Sequence, residues 1–98
     1  MKTITTFKDL SLKSGESIPK GTKLEFVRPG DVISVGIWMM GEREVKMRYR
    51  SVIKEPSMRA LEKWSEDGVC KSVFGARVEF DGTGPLGEPS WGLALGMV

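Results

Sequence analysis

Val32-Ile33-Ser34-Val35-Gly36-Ile37-Trp38-Met39-Met40-Gly41-Glu42-Arg43-Glu44-Val45-Lys46-Met47-Arg48-Tyr49-Arg50 is the stretch whose pattern decides the fold. Over residues 43–52 the side chains alternate in character. Val45, Met47 and Tyr49 point one way, and Glu44, Lys46, Arg48 and Arg50 the other. That period of two predicts a strand with one dry and one wet face. Over residues 32–40, Ile33, Val35, Ile37 and Met39 share one face, while Val32 and Trp38 lie on the other. Apolar residues on both sides predict a central strand with both faces partly covered. Met40-Gly41-Glu42 between the two predicts a tight hairpin, and so an antiparallel sheet.

The pattern extends upstream. Residues 4–7 are β-prone, and Leu10 and Leu12 extend that strand until Ser14-Gly15-Glu16 breaks it. Ile18-Pro19-Lys20-Gly21-Thr22 is a turn, with proline presetting φ and glycine permitting φ > 0. Residues 23–27 form a strand with Leu24 and Phe26 on one face. Arg28-Pro29-Gly30-Asp31 suits a type II turn. Downstream, Pro56 ends the strand region and Ser57 is a helix N-cap, with Ala60 where a capping box needs Glu or Gln. Met58, Leu61 and Trp64 form an apolar stripe at helical spacing, and Gly68 stops the helix. Residues 69–73 and 76–80 read as two short strands across Gly75, followed by an Asp81-Gly82 turn. Residues 82–90 are a Gly/Pro loop with no hydrophobic core of its own. Trp91, Leu93, Leu95, Met97 and Val98 are too apolar for a free tail and are expected to dock.

The expected fold is α+β in a single domain over residues 1–98. A small antiparallel sheet or partial open barrel covers 3–54, and one helix, a short hairpin and a docked C-terminal segment fill 55–98. By the placement of its turns, the part over 18–54 looks like a small open barrel of the Src-homology type.

The chain has no histidine and one cysteine, Cys70. His-based triads, His metal ligands and Cys-rich zinc sites are therefore excluded. An internal disulfide is excluded as well. Cys70 is expected to be a small core residue. Glu66 with Asp67, and Glu79 with Asp81, match no metal-loop pattern and are expected to be solvated. Gly82-Thr83-Gly84-Pro85-Leu86-Gly87 lacks the Gly-Lys-Ser/Thr ending of a phosphate-binding loop. The expectation is a binding protein, not an enzyme, with no cofactor and no metal. The first residues have no apolar signal-peptide core and no apolar run approaches membrane-spanning length, which predicts a cytoplasmic protein with no membrane partner.

Fifteen Lys and Arg face thirteen Asp and Glu, a net charge of +2 that is too small for a general basic coat. The charges are unevenly spread. Residues 43–63 carry seven basic and three acidic groups, and residues 64–98 carry two and five. Within the basic block, Lys46, Arg48 and Arg50 fall on one side of the expected strand, about 6–7 Å apart, with Tyr49 adjacent. That spacing suits contacts to a phosphate backbone or an acidic protein. The same residues also suit a solvated face or a charged, protected sheet edge.

Leu61, Trp64, Gly68 and Val69 have the spacing of the second helix of mercury-resistance-type regulators and phage excisionases, and residues 57–79 resemble the helix-plus-wing of that family. The resemblance implies a helix in the major groove and a wing, residues 71–78 with Gly75 at the tip, gripping backbone. It puts Arg59, Lys63, Lys71 and Arg77 towards DNA. The family's first helix has no counterpart before residue 57, and Glu62, Glu66 and Asp67 add acid beside that face. A helix that caps the sheet through Met58, Leu61 and Trp64 is the alternative. Across residues 56–98, the segments Pro56-Ser57-Met58-Arg59-Ala60-Leu61-Glu62-Lys63-Trp64-Ser65, Gly75-Ala76-Arg77-Val78-Glu79, Asp81-Gly82-Thr83-Gly84-Pro85, Glu88-Pro89-Ser90-Trp91 and Leu93-Ala94-Leu95-Gly96 resemble small bacteriophage proteins of unassigned function. That resemblance implies a phage source, the cytoplasm of an infected bacterium, and no activity.

Two functions follow as expectations. One is a small phage accessory or regulatory protein contacting nucleic acid through Lys46, Arg48, Arg50, Arg59 and Lys63, with Arg77 acting from the wing. The other is a protein-binding module that inhibits a host or defence protein, or a small assembly factor, and so meets an acidic protein surface. The basic block and acidic end also permit a homodimer.

Overall fold

The computed structural model describes residues 2–12 and 14–97. Four strands make the main sheet: β1 (Thr3–Thr5), β4 (Lys23–Pro29), β5 (Val35–Met40) and β6 (Arg43–Arg48). Their order is β1-β4-β5-β6, every pair is antiparallel, and β1 and β6 are its edges, so no barrel closes. Two short hairpins flank it: β2 (Leu10–Ser11) with β3 (Ser17–Ile18), and β7 (Val69–Lys71) with β8 (Arg77–Glu79). The helices are α1 (Tyr49–Val52), α2 (Met58–Asp67) and α3 (Trp91–Ala94). The fold is α+β, with antiparallel sheets and, among the described residues, three helices where the sequence suggested one.

The hairpin of β5 and β6 forms as the alternation requires, with Met40 opposite Arg43 across Gly41-Glu42. Trp38, Val45 and Met47 on its inner face are buried with Leu24 and Phe26 of β4. The aromatic rings meet edge-on: Phe26 and Trp38 are 5.3 Å apart, and Trp38 and Tyr49 are 5.9 Å apart. Such pairs place a positive ring edge against a negative ring face. Gly36 lies where this packing allows no side chain. A Cβ there would stand 2.9 Å from Cε1 of Tyr49 and 3.2 Å from Nε1 of Trp38. The outer face is also partly dry. Ile37, 3% exposed, sits in register between Arg28 and Lys46. The aliphatic stems of those side chains flank it, and Arg28 reaches across the strand to Glu44 at 3.2 Å.

Several expectations are corrected. Leu10 does not extend the first strand but pairs with Ile18 in a separate hairpin around residues 14–16. No type II turn forms at Arg28-Pro29-Gly30-Asp31. A bulge at Val27 shifts the register, β4 continues to Pro29 opposite Gly36, and the Gly30 amide donates to the Val35 carbonyl. The reversal lies at residues 30–34, so Val32 and Ile33 are exposed loop residues and not strand residues.

β6 ends at Arg48. The Tyr49 amide still donates to the Ser34 carbonyl, but the chain then coils into α1, where the Ile53 amide donates to Tyr49. Arg50 is therefore on a helical turn and not on the strand. α2 follows its signals: the Ser57 hydroxyl accepts from the Ala60 amide, and Gly68 closes the helix at φ 74°. That left-handed conformation favours glycine. Its inner face is Leu61 and Trp64 against β7 and α3. Met58 is 64% exposed and not part of the buried stripe.

The C-terminal segment docks as α3, with Trp91 and Ala94 in the same cluster as Trp38. Met97 is exposed, and Val98 lies outside the described residues. The loop before α3 is built on a buried carboxylate. Glu88, fully buried, accepts from the Ser72 hydroxyl at 2.8 Å and from the Leu86 amide at 2.9 Å. Ser72 Oγ in turn accepts from the Phe74 and Ala76 amides in the β7–β8 connection. Cys70 is buried, as expected of a small core residue.

Candidate anion-binding cleft

The six basic residues singled out in the sequence do not share one face. They divide among four places, and one of them gathers four cations around a concavity. That place is the end of β6 and the start of α1. Arg48 is the last strand residue and Arg50 the second of α1, and between them the Tyr49 ring is wholly buried. An anchored residue flanked by two exposed ones turns both arginines outward.

Arg48 and Arg50 line a cleft of about 370 Å3 with Lys8, Lys54, Phe7 and Ser51, and Glu55 is its one acid. Four cations thus face a single carboxylate. Arg50 meets Glu55 at 3.3 Å, with both side chains about half exposed. An exposed pair of this kind contributes little and exchanges readily for another anion. The Lys8 ammonium lies 5.4 Å from the Phe7 ring centroid, within reach of its negative face. Arg48 has no ion-pair partner among the described residues.

The same two arginines wall a second, smaller cleft of about 240 Å3. Its other side is formed by Ile33 and Ser34 of the 30–34 loop and by Leu93, Ala94 and Leu95. Ile33 is half exposed at 52%. Arg48 and Arg50 therefore form a ridge, with a cationic hollow on one side and an aliphatic one on the other.

Beneath the ridge, the Tyr49 hydroxyl is buried and has no hydrogen-bond partner among the described residues. Burial pushes its pKa up to about 12, and the nearby charge of Glu88 adds to the shift. The phenol stays protonated at neutral pH and serves as an anchor.

The remaining basic residues lie elsewhere. Lys46 is on the outer sheet face beside Arg28 and Glu44, and it does not line the cleft. Arg59 and Lys63, one turn apart on α2, are exposed among Met58, Glu62 and Glu66. Lys71 and Arg77 are paired across β7 and β8, in a cleft of about 450 Å3 that also holds Trp64 and Asp67. A helix followed by a hairpin is present over residues 58–79, and only the single turn of α1 precedes it. Lys8 and Lys54 were missed in the sequence. Lys54 continues the basic block one turn beyond Arg50. Lys8 is forty residues from Arg48, in the connection between β1 and β2, and meets it only in the folded chain.

Among the described residues, no group of three or more Cys, Asp or Glu side chains is placed to hold a metal ion, and no helix is long and apolar enough to cross a membrane. Compared with known proteins, the chain matches no family model, no curated protein and no solved structure.

Proposed function

We propose that this is a small binding protein that contacts the phosphate backbone of nucleic acid. The observation that carries the reading is the convergence of Lys8, Arg48, Arg50 and Lys54 on one cleft with a single opposing acid. Arginine forks and lysine ammonium groups match phosphate oxygens, and release of counterions drives such binding. Lys46, Arg59, Lys63 and Arg77 are outlying contacts for a longer strand. No catalytic step forms part of this reading. A phage source, with a regulatory or accessory role in the infected cell, rests on the likeness of residues 56–98 alone.

The test is fluorescence anisotropy with labelled oligonucleotides at 50 and 200 mM salt. Binding should weaken steeply with salt. Changing Arg48→Ala and Arg50→Ala together should weaken it at low salt by roughly tenfold or more and flatten the log-affinity slope by about 2. Arg59→Ala with Lys63→Ala should do less. Absence of binding at 50 mM salt would sink the reading.

One observation favours a second reading, a phage-encoded module that inhibits a host or defence protein or assists assembly. Met58 at 64% and Val32 at 59% exposure present apolar surface away from the Arg48–Arg50 clefts, and exposed methionine is common on adaptable protein-binding surfaces. Recovery of a stoichiometric protein partner from host lysate, lost on Met58→Glu, would support it over nucleic acid.

A further inference from the structure

We infer that the nucleic acid taken at the Arg48–Arg50 ridge is single-stranded, with phosphates in the cationic cleft and an unstacked base in the aliphatic one. The inference rests on the phosphate-binding reading and deepens it. Its ground is the pairing of two clefts across one shared wall. On one side stand Lys8 and Lys54, and on the other Ile33, Leu93 and Leu95.

A duplex presents phosphates outward and hides its base faces in the stack, so it has no flat base face to place against Ile33 or Leu95. A single strand offers, in each nucleotide, an anionic group and a flat apolar face joined by a sugar. That is the chemistry of the two hollows. The guanidinium groups between them are planar and stack on bases as well as binding phosphate. Single-strand binders combine a cationic path with surfaces on which bases rest. The basic residues of this protein also form separate clusters and not one continuous stripe. A flexible strand can bend to reach separate clusters at little cost, whereas a duplex must be deformed to do so.

The experiment compares four labelled probes on the unaltered protein at 50 mM salt. These are a thymidine 12-mer, an abasic 12-mer of equal charge, a 12-base-pair duplex, and an acidic peptide containing leucines. The thymidine strand should bind about tenfold more tightly than the abasic strand and more tightly than the duplex. Ile33→Ser, at an exposed loop position, should remove most of the preference for thymidine over abasic strand. Equal binding of thymidine and abasic strands, or tighter binding of the duplex, overturns the inference and leaves the phosphate reading standing. Binding of the peptide alone overturns both in favour of a protein partner, and binding of no probe overturns both outright.

Discussion

At the scale of single residues, Tyr49 links the interior to the proposed site. Its ring fills the space that Gly36 leaves, and its buried position turns Arg48 and Arg50 towards solvent. Its hydroxyl is in the interior without a partner, and an unsatisfied buried polar group costs about 1–3 kcal/mol. Tyr49→Phe is therefore expected to stabilise the protein by about 1 kcal/mol, read from urea unfolding at neutral pH. The phenol also makes stability depend on alkaline pH. An unfolded tyrosine titrates near 10, and the folded one near about 12. Between those values the unfolded chain gives up a proton that the folded chain keeps. The stability that is fully present below pH 10 is thus lost as pH rises towards 12, by roughly 2 kcal/mol. The Phe variant lacks this component, so the gap between the two proteins should widen across that window. A constant gap would show that Tyr49 does not titrate there.

At the scale of elements, the loop of residues 82–90 depends on one side chain. Glu88 is the sole charge in residues 82–98, and it joins that loop to β7 through Ser72. Glu88→Ala leaves the Leu86 amide and the Ser72 hydroxyl without their acceptor and opens a void. The expected cost is about 3 kcal/mol, a fall of roughly 10–20 °C in Tm by calorimetry. A charge isolated in an otherwise uncharged apolar and glycine-rich run was the signal for this role. It was legible in the sequence, but a carboxylate there reads first as a surface group. The β5–β6 hairpin, the Ser57 cap and the Gly68 stop were legible because each is set by residues within a few positions of one another. The end of β6 was not. Tyr49 continues the buried-exposed alternation of Val45 and Met47 even though its backbone has already turned helical, so the pattern runs past the strand. Nor could alternation tell which face of β5 looks inward, since Ile37 and Trp38 are both buried. Half of the cationic cleft was readable in Arg48 and Arg50. Lys8 was not, because it lies in the β1–β2 connection, forty residues from Arg48, and only the tertiary fold brings the two to one cleft.

At the scale of the whole molecule, one cluster of buried side chains runs from Leu10 through Trp38 and Tyr49 to Trp91 and Ala94. The radius of gyration is 13.4 Å, against about 13 Å for a packed domain of this length, so the Gly/Pro loop and last helix add little spread. A shared core implies shared unfolding. Tryptophan fluorescence, which reports Trp38 in the sheet, Trp64 in α2 and Trp91 in α3, should give the same urea midpoint as far-ultraviolet circular dichroism. Two separated midpoints would show that the C-terminal segment opens on its own. The position of Trp91 in that cluster also bears on biosynthesis. As the chain leaves the ribosome, the sheet strands emerge first and lack part of the surface they pack on. The complete core, with Trp91 and Ala94 in place, can form only after residue 94 has left the ribosome. Before then the nascent chain exposes apolar strands, and chaperones that hold such strands have their opportunity in that interval.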